Sequence, residues 1–247
     1  MTQRIVSLVP SLTELVFWFG LGESVVGRTR FCTEPAGEVE RVAIVGGTKN
    51  PRVDRITALR PDLVLANKEE NRREDIEALR GAGLEVLLTD PNTVADAVTM
   101  IRELGALLGA ERRAEELTAD VATALAEVQS GRSRPRVAVA VWKEPFLALG
   151  AESYGHDLIQ VSGGQIVLAG QNRYPEVSLA ELAELAPDLI LLPDEPYPFK
   201  ERDRAAFADI APTQLIDGRL VWWYGPRMPQ AIRTLCQLFA SAGSRQP

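Results

Sequence analysis

The chain has 247 residues, of which 46% are hydrophobic and 25% charged, so it is long enough to bury one large core or two smaller ones. Its formal net charge of −7 argues against a nucleic-acid-binding role, because that role needs a dense basic face. The two cysteines, Cys32 and Cys236, stand near opposite ends of the chain. They predict neither a disulfide framework nor a cysteine-based zinc site.

The start of the chain runs from Met1 directly into a strand-like segment, Arg4–Val9. This segment lacks a basic and apolar leader with a cleavage site, and no cysteine near the start could carry a lipid. Nor does any apolar run approach the roughly 20 residues that span a bilayer. As written, the sequence is therefore expected to be cytoplasmic.

Short runs of β-branched residues alternate with helical patterns, which predicts parallel sheets with crossover helices. A stretch rich in Ala, Leu, Glu and Arg, Thr93–Gln129, separates two such sets and predicts a long helical segment. The predicted strands are Ile5–Val9, Ser24–Gly27, Leu63–Ala66, Glu85–Thr89, Arg136–Val141, Leu189–Leu192 and Arg219–Trp223.

An internal repeat supports two similar halves. Leu59–Leu65 (LRPDLVL) recurs as Leu185–Leu191 (LAPDLIL), close to half the chain length away. In each copy a helix is expected to end at a Pro-Asp turn that leads into a buried strand. Upstream, Gly46–Pro51 has a looser counterpart in Gly170–Pro175. The matched order of loop, helix and strand predicts two similar α/β lobes.

Two such lobes joined by a long helix would form a cleft. The loops at the carboxyl ends of the strands would project into it, because open α/β sheets bind ligands at that edge. A helical connection also predicts that ligand binding closes the lobes by only a small rotation, since an intact helix resists bending.

In the first half, two loops carry side chains suited to a ligand. Phe31 could stack on a planar ligand or cap the core of its lobe, whereas Cys32 is expected to be a small buried residue. The polar cluster Ala66–Asn71 could hydrogen-bond ligand amides. Equally, Glu69 and Glu70 could begin the next helix, where its dipole favours acidic residues.

In the second half, aromatic residues concentrate in or beside the loops that follow predicted strands. This pattern favours a broad, flat, partly apolar ligand held by stacking. If Arg219–Trp223 is a strand, one of its two tryptophans must face the core. The aromatic residues concerned are Trp142, Phe146, Tyr197, Phe199, Trp222, Trp223 and Tyr224.

Bare metal binding and catalysis find little support. The single histidine, His156, is predicted in the first turn of a helix, and no nucleophile is evident beside it. Dinucleotide-binding, P-loop and nucleophile-elbow motifs do not occur. No catalytic residue, no catalytic cofactor and no metal site of the protein's own is therefore expected.

The sequence resembles the helical-backbone substrate-binding proteins of ABC importers. Within this group it is most similar to the vitamin B12-binding proteins, with ferric siderophore binders next. The segments that carry the resemblance are Arg4–Glu14 (RIVSLVPSLTE), Gly27–Pro35 (GRTRFCTEP), Val45–Pro51 (VGGTKNP), Leu59–Leu65 and Tyr154–Gly164 (YGHDLIQVSGG).

The resemblance implies an α/β fold with two Rossmann-like lobes, joined by one long backbone helix within residues 110–129, and non-catalytic binding of a cobalamin-like corrinoid between the lobes. The implied domains are an N-terminal lobe (1–109), a connecting helix (110–131) and a C-terminal lobe (132–247). The residues implied to face the ligand are Pro10, Ser11, Phe31, Gly47, Asn67, Trp142, Phe146, Tyr174, Tyr197 and Trp223.

The resemblance also implies an ABC permease as partner, docked through an acidic residue for which Glu70 and Glu74 are the candidates. The protein is expected to be a monomer. A periplasmic or surface-anchored location follows from the resemblance if the natural chain starts upstream of Met1.

Two alternatives remain open. A ferric siderophore or haem-type chelate is favoured if cations converge on the cleft, because anionic chelates need them; the candidates are Arg28, Arg30, Arg173 and Arg227. An enzyme of corrinoid or chelate metabolism would need a buried titratable pair; the candidates are Glu69 or Glu144 near Lys68 or Lys143.

Overall fold

The computed structural model of the chain describes residues 3–128 and 134–243. Its contacts divide the chain into two compact units. The first unit comprises Met1–Asp90, Thr99–Leu117 and Tyr224–Pro226. The second unit comprises Pro91–Val98, Thr118–Trp223 and Arg227–Pro247.

The strands are short, and most belong to one of two larger sheets. They are β1 Ile5–Ser7, β2 Val25–Arg28, β3 Ala43–Ile44, β4 Gly46–Gly47, β5 Asn50–Pro51, β6 Leu63–Asn67, β7 Val86–Thr89, β8 Arg136–Trp142, β9 Leu147–Ala148, β10 Gly150–Ala151, β11 Gln165–Ile166, β12 Leu168–Asn172, β13 Leu189–Pro193 and β14 Thr213–Ile216.

The described α-helices alternate with these strands. They are α1 Pro10–Trp18, α2 Val53–Ala58, α3 Arg73–Gly81, α4 Val94–Leu108, α5 Glu111–Ala126, α6 Tyr154–Val161, α7 Leu179–Glu184, α8 Arg219–Trp222 and α9 Met228–Gly243. Short 3₁₀ helices occupy Gly22–Ser24, Val39–Arg41 and Glu201–Phe207. Within residues 3–128 and 134–243, none of the helices combines the length and apolar character needed to cross a membrane.

The first unit is built on a parallel sheet in the order β3-β2-β1-β6-β7. Every residue of β1 and of β6 is buried, as expected when helices cover both faces of a parallel sheet. Val6 and Val64 form the core with Ile56 from α2 and Leu79 from α3. β1 lies between β2 and β6. The connection that follows β1 leads to β2 on one side, whereas the connection that follows β6 leads away to β7 on the other side.

The second unit has its own parallel sheet, in the order β11-β8-β13-β14, and β9 pairs with β8 in antiparallel orientation. The central strand β13 is buried along its whole length, and α6 contacts α8 and α9. Again the first strand in the chain, β8, is flanked on both sides by later strands. The predicted α/β class with parallel sheets is confirmed.

Six of the seven predicted strands match an observed strand to within two residues at each end. The prediction of a strand at Arg219–Trp223 is wrong, because Arg219–Trp222 forms the short helix α8. The last strand of the sheet is instead Thr213–Ile216, which pairs with β13. This edge strand is half-exposed and contains Thr and Gln, so it lacks the continuous apolar run that marks a central strand.

The predicted helical stretch Thr93–Gln129 contains two helices rather than one. Gly109 adopts a left-handed backbone conformation with φ of 70° and separates α4 from α5. The chain passes from the first unit into the second within α5, between Leu117 and Thr118. The predicted domain boundary at 109/110 stays a prediction, and the boundary at 131/132 lies outside the described residues.

The internal repeat is reproduced in its hydrogen bonds. In the first unit, the backbone N–H of Arg4 donates to the Asp62 carboxylate at 2.7 Å, and the Arg4 guanidinium donates to the Leu59 carbonyl at 2.7 Å. In the second unit, Arg136 N–H donates to the Asp188 carboxylate at 2.7 Å, and the Arg136 guanidinium donates to the carbonyl oxygen of Leu185. The two units therefore attach helix to strand in the same way.

Candidate functional site

The sheet order of the first unit locates its candidate binding edge. Open α/β sheets bind ligands outside the carboxyl ends of the strands where the connections reverse direction, and here those strands are β1 and β6. Pro10 and Ser11, which follow β1 and begin α1, are both buried. Pro10 stands in the first turn, where its missing N–H costs no hydrogen bond.

The loop after β6 is shaped by Asn67, which is 3% exposed. Its amide group donates to the Thr89 carbonyl at 3.0 Å, and its side-chain oxygen accepts from the N–H groups of Glu69 and Glu70 at 2.8 and 3.2 Å. The carboxamide of Asn67 is thus committed within the protein. It folds the loop that follows β6 and does not project from it.

Glu69 and Glu70 lie in a turn, because α3 does not begin until Arg73. The alternative that they start this helix is therefore wrong, and its first turn contains Glu74 and Asp75 instead. Burial raises the pKa of Glu70, and the neighbouring Lys49 opposes this rise. Glu74, by contrast, is exposed.

Phe31 presents an exposed ring at the same edge of the sheet. The residue is 54% exposed, so the alternative that it caps the core of the unit is wrong. The ring lies beside Gly47, where an added Cβ would touch the ring at 3.4 Å, an ordinary contact, but would overlap the side-chain oxygen of Asn50. The Arg30 guanidinium lies over the ring, 5.9 Å from its centroid. This geometry suits a cation–π contact.

Arg28 stabilises the loop that contains Phe31. It is 6% exposed, and its guanidinium donates to the Val39 carbonyl at 2.8 Å and to the Cys32 carbonyl at 3.0 Å. These bonds tie the loop to the 3₁₀ helix that begins at Val39. Cys32 is fully buried, as expected, and burial raises the pKa of its thiol.

Two hydrogen bonds link the loop after β6 to the β4–β5 hairpin. The Asn71 amide donates to the Thr48 carbonyl at 2.9 Å, and the Lys49 ammonium donates to the Glu69 carbonyl at 2.6 Å. Tyr224 is buried in the same unit and interacts with Ser11 and Thr89 side chains, and burial raises the pKa of its phenol. The edge of the first sheet is therefore a set of mutually braced loops.

In the second unit the direction of the connections reverses at β8, between β11 and β13. Trp142 is the last residue of β8 and is 41% exposed. Tyr197, in the loop after β13, meets its ring edge-on at 5.6 Å between centroids. Phe199 is 3% exposed and lies 4.7 Å from the Tyr197 ring, so it anchors that ring in the unit.

Phe146 and Lys143 fix the loop after β8 to the 3₁₀ helix Glu201–Phe207. The rings of Phe146 and Phe207 lie 5.5 Å apart, and the Lys143 ammonium lies 2.8 Å from the Asp203 carboxylate. Asp203 is 4% exposed, and the hydrogen bond from Lys143 lowers its pKa. Both partners are therefore charged near neutrality, an arrangement that suits a structural ion pair better than an acid-base pair.

Trp222 ends α8 and Trp223 follows it, so the two do not alternate across a strand as predicted. The Trp222 indole N–H donates to the Glu195 carbonyl at 2.7 Å, and its ring lies 6.4 Å from that of Tyr174 in an edge-on arrangement. Trp223 is 7% exposed, and the Arg227 guanidinium lies 5.4 Å from its ring centroid. Both indoles therefore pack against the loop that follows β13.

Glu195 stands in the loop after β13 and is half-buried. Burial raises its pKa to about 7, a hydrogen bond with the Trp223 side chain lowers it, and the charges of Asp194 and Asp217 raise it again. Arg219 opposes them, but it also makes a close ion pair with Asp217, at 2.9 Å. A glutamate followed by proline in a polar loop gives no sequence signal for this environment.

His156 lies in the first turn of α6, as predicted, and is half-buried. Its Nδ1 lies 2.9 Å from the Gly150 carbonyl oxygen. Within residues 3–128 and 134–243, no group of three or more His, Cys, Asp or Glu side chains is placed to hold a metal ion.

The four arginines considered for an anionic ligand divide into two kinds. Arg28 is committed to backbone carbonyls, and Arg173 donates to the Asn92 side chain at 3.2 Å. Arg30 and Arg227 each lie over an aromatic ring of their own unit. The sequence singled out all four, but it could not distinguish the two kinds, because burial and ring contacts depend on tertiary packing.

Comparison with known proteins places this geometry in context. The family described as periplasmic binding protein matches residues 5–211. An uncharacterised ABC transporter substrate-binding lipoprotein of Bacillus subtilis (strain 168) is 28% identical over 250 residues, covering 95% of this chain and 79% of its own. A vitamin B12-binding protein of Vibrio parahaemolyticus is 25% identical over 194 residues, covering 76% of this chain and 70% of its own.

Solved structures share the fold. The periplasmic haem-binding protein RhuT from Roseiflexus sp. RS-1, in its apo form, superposes with a TM-score of 0.81. It covers 98% of this chain and 100% of its own at 23% identity. The expected likeness to the vitamin B12-binding class is thus confirmed in sequence, while the same fold also occurs in a haem-binding protein.

Proposed function

This chain belongs to the periplasmic binding protein family, and we propose that it is a non-catalytic binding protein for a cobalamin-like corrinoid that it delivers to an ABC importer. The named functions of the Bacillus and Vibrio relatives support the importer role and the corrinoid, respectively. The expected position of the ligand, between the two lobes, stays a prediction.

The aromatic residues at the reversal point of the second sheet carry the proposal. Trp142 ends β8 and Tyr197 follows β13, and open α/β sheets bind ligands at the carboxyl ends of two such strands, where the connections reverse. Trp142 is 41% exposed although it is a large apolar side chain. An exposed indole braced by a second ring suits stacking on a flat macrocycle.

The supply of axial metal ligands does not by itself separate a corrinoid from haem. Protein-bound haem iron takes His, Met, Cys or Tyr as axial ligand. The single histidine, His156, faces a backbone carbonyl, and Cys32, Met100 and Met228 are buried, but Tyr174 and Tyr197 are half-buried beside Trp222 and Trp142 and offer phenolic oxygens. Cyanocobalamin has both axial positions of its cobalt already filled, so the protein need supply no ligand.

The importer role needs a docking surface, and Glu74 suits it better than Glu70. Glu74 is exposed in the first turn of α3, whereas Glu70 is half-buried and burial raises its pKa. The Bacillus relative is named a lipoprotein. A periplasmic or surface-anchored location therefore fits the proposed role, and the cytoplasmic location and the monomeric state stay predictions.

The test is a titration of the purified protein with cyanocobalamin, dicyanocobinamide, a ferric hydroxamate siderophore and haem. Binding is followed by tryptophan fluorescence and by the ligand-dependent rise in melting temperature. Saturable stabilisation by both corrinoids, and not by the other two ligands, is expected. Failure of both corrinoids to bind at micromolar concentration would overturn the corrinoid proposal and leave the family assignment intact.

A haem-type or siderophore chelate is the second candidate, and one observation favours it. Arg30 and Arg227 place a cation beside Phe31 and Trp223, respectively, so each unit offers a ring with a positive charge next to it. Ligand carboxylates would gain from such charges. In the same titration, binding of haem with affinity that falls as salt is added would support this candidate.

A further inference from the structure

Glu195 contacts the adjacent indoles of Trp222 and Trp223 through different atoms. Its backbone carbonyl accepts the Trp222 indole N–H at 2.7 Å. Its carboxyl group hydrogen-bonds the Trp223 side chain, whose single donor is the indole N–H. One residue thus holds two neighbouring rings by hydrogen bonds.

The position of Glu195 is itself tightly restrained. A Cβ on Gly218 would overlap the Glu195 Cγ and would also lie 2.9 Å from the Glu195 carbonyl oxygen. The Gly218 N–H donates to the Asp194 carboxylate at 2.8 Å, which holds the two loops together. Glycine at this position therefore lets the loop after β13 lie directly against the start of α8.

We infer that Glu195 is the positioning residue of the two indoles, Trp222 and Trp223, and through them of the ligand-binding edge of the second unit. The inference rests on the proposed function for the identity of the ligand. The positioning of the two indoles by Glu195 does not depend on that function. Without the Glu195 carboxyl group, the Trp223 indole would lose its acceptor. Its ring would then be free to turn away from the Arg227 guanidinium, 5.4 Å from its centroid.

The charges around Glu195 make this role sensitive to pH. Asp194 adjoins it on its own loop, Asp217 interacts with it from the turn before α8, and Arg219 does so from the first residue of α8. Arg227, ahead of α9, interacts in turn with Asp217. Because burial brings the pKa of Glu195 to about 7, its carboxyl group ionises near neutrality, and the carboxylate is the stronger hydrogen-bond acceptor for the indole.

The ligand-free test uses the full chain labelled with ¹⁵N-tryptophan, which has four indole groups. Trp222→Phe and Trp223→Phe assign two of the indole N–H signals. In the wild type the Trp223 signal is expected to move with pH through the neutral range, and in Glu195→Gln it is expected to stay fixed. Glu184→Gln, an exposed glutamate of the same unit, is the matched control and should leave the titration intact.

The binding test uses cyanocobalamin as the probe. Glu195→Ala is expected to weaken affinity by about tenfold, the order of one hydrogen bond to a charged group. Glu195→Gln keeps an acceptor oxygen and should restore most of the affinity while removing its dependence on pH. A purely structural role would instead lower stability in both variants and would not make the Trp223 signal titrate.

Two results would overturn the inference. One is a Trp223 signal that does not titrate in the wild type, and the other is a titration that persists in Glu195→Gln. If the wild type fails to bind cyanocobalamin, the corrinoid proposal falls, but the indole titration still decides whether Glu195 positions the rings.

Discussion

Trp142 is the exposed aromatic residue that most directly meets the demands of ligand stacking. It is the last residue of β8, is 41% exposed and is braced edge-on by Tyr197. Trp18 is exposed to a similar extent, 43%, but it ends α1 and so lies a whole helix away from the carboxyl end of β1. Trp18 is therefore a matched control for Trp142, since both indoles are exposed but only Trp142 lies at the carboxyl end of a strand.

Replacing Trp142 by Ala should weaken cyanocobalamin binding by about 1–3 kcal/mol, because a stacked ring would be lost from the site. Trp18→Ala should leave the affinity unchanged. Isothermal titration calorimetry of the two variants measures both. Equal affinities for Trp142→Ala and the wild type would exclude this indole from the ligand contact.

Arg28 shows how a buried charge can shape a loop. Its guanidinium is 6% exposed and donates to three backbone carbonyls, at 2.8, 3.0 and 3.2 Å. The exposed Arg30 guanidinium instead lies over the Phe31 ring, 5.9 Å from its centroid. Two arginines separated by one residue therefore have different roles, which sequence alone does not distinguish.

Arg28→Met should lower the free energy of unfolding by about 1–3 kcal/mol, because buried carbonyls would lose their donors. Arg30→Met should change it by less than about 0.5 kcal/mol, as is usual at exposed positions. Urea denaturation followed by circular dichroism gives both values. A similar loss in both variants would show that the Arg28 hydrogen bonds contribute little.

At the scale of elements, the sequence predicted the central strands and the edge strand β7 well, but it missed the edge strands β3, β11 and β14. The central strands β6, β8 and β13 are continuous apolar runs, which is the pattern that two covered faces impose. The edge strand β14 has no such pattern. The run Arg219–Trp223 looks like a strand because it contains a valine and two tryptophans, but its buried residues Leu220 and Val221 lie on the short helix α8.

The candidate site was predictable in position and only partly in detail. Loops after strands could be identified from the strands themselves, which is why Phe31, Trp142 and Tyr197 were singled out correctly as loop or strand-end residues. Glu195 was missed, because its environment arises from Gly218 and Trp223, which are distant in the chain. The sequence likewise does not indicate that the Asn67 carboxamide hydrogen-bonds with the backbone of Thr89 and Glu69.

The repeated turns offer a prediction for each unit. Asp62 and Asp188 each accept one backbone N–H at 2.7 Å, from Arg4 and Arg136. Asp62→Ala and Asp188→Ala should each lower the free energy of unfolding by about 0.5–1.5 kcal/mol, since each loses one hydrogen bond. Asp209→Ala, at an exposed position, is the control. Calorimetric unfolding that is sensitive to one substitution and not to the other would show that the two turns are not equivalent.

For the whole molecule, stability should depend on pH through two opposing sets of carboxyl groups. Asp203 and Asp217 have lowered pKa values, because Lys143 and Arg219 hydrogen-bond them. The unfolded chain binds more protons at these positions in acid, so their contribution to stability is lost as pH falls below the ordinary range of aspartate. Glu195 acts in the opposite direction, since burial raises its pKa to about 7.

Between its ordinary value of 4.5 and about 7, the folded protein binds more protons at Glu195 than the unfolded chain does. The contribution of Glu195 to stability is therefore complete below pH 4.5 and is lost as pH rises through 7. Glu195→Gln cannot ionise, so the difference in melting temperature between this variant and the wild type should shift in favour of the variant across that window and level off above it. Differential scanning calorimetry at intervals of half a pH unit measures the shift, with Glu184→Gln as control. A difference that is constant from pH 4.5 to 8 would mean that Glu195 has the same pKa in the folded and unfolded chain.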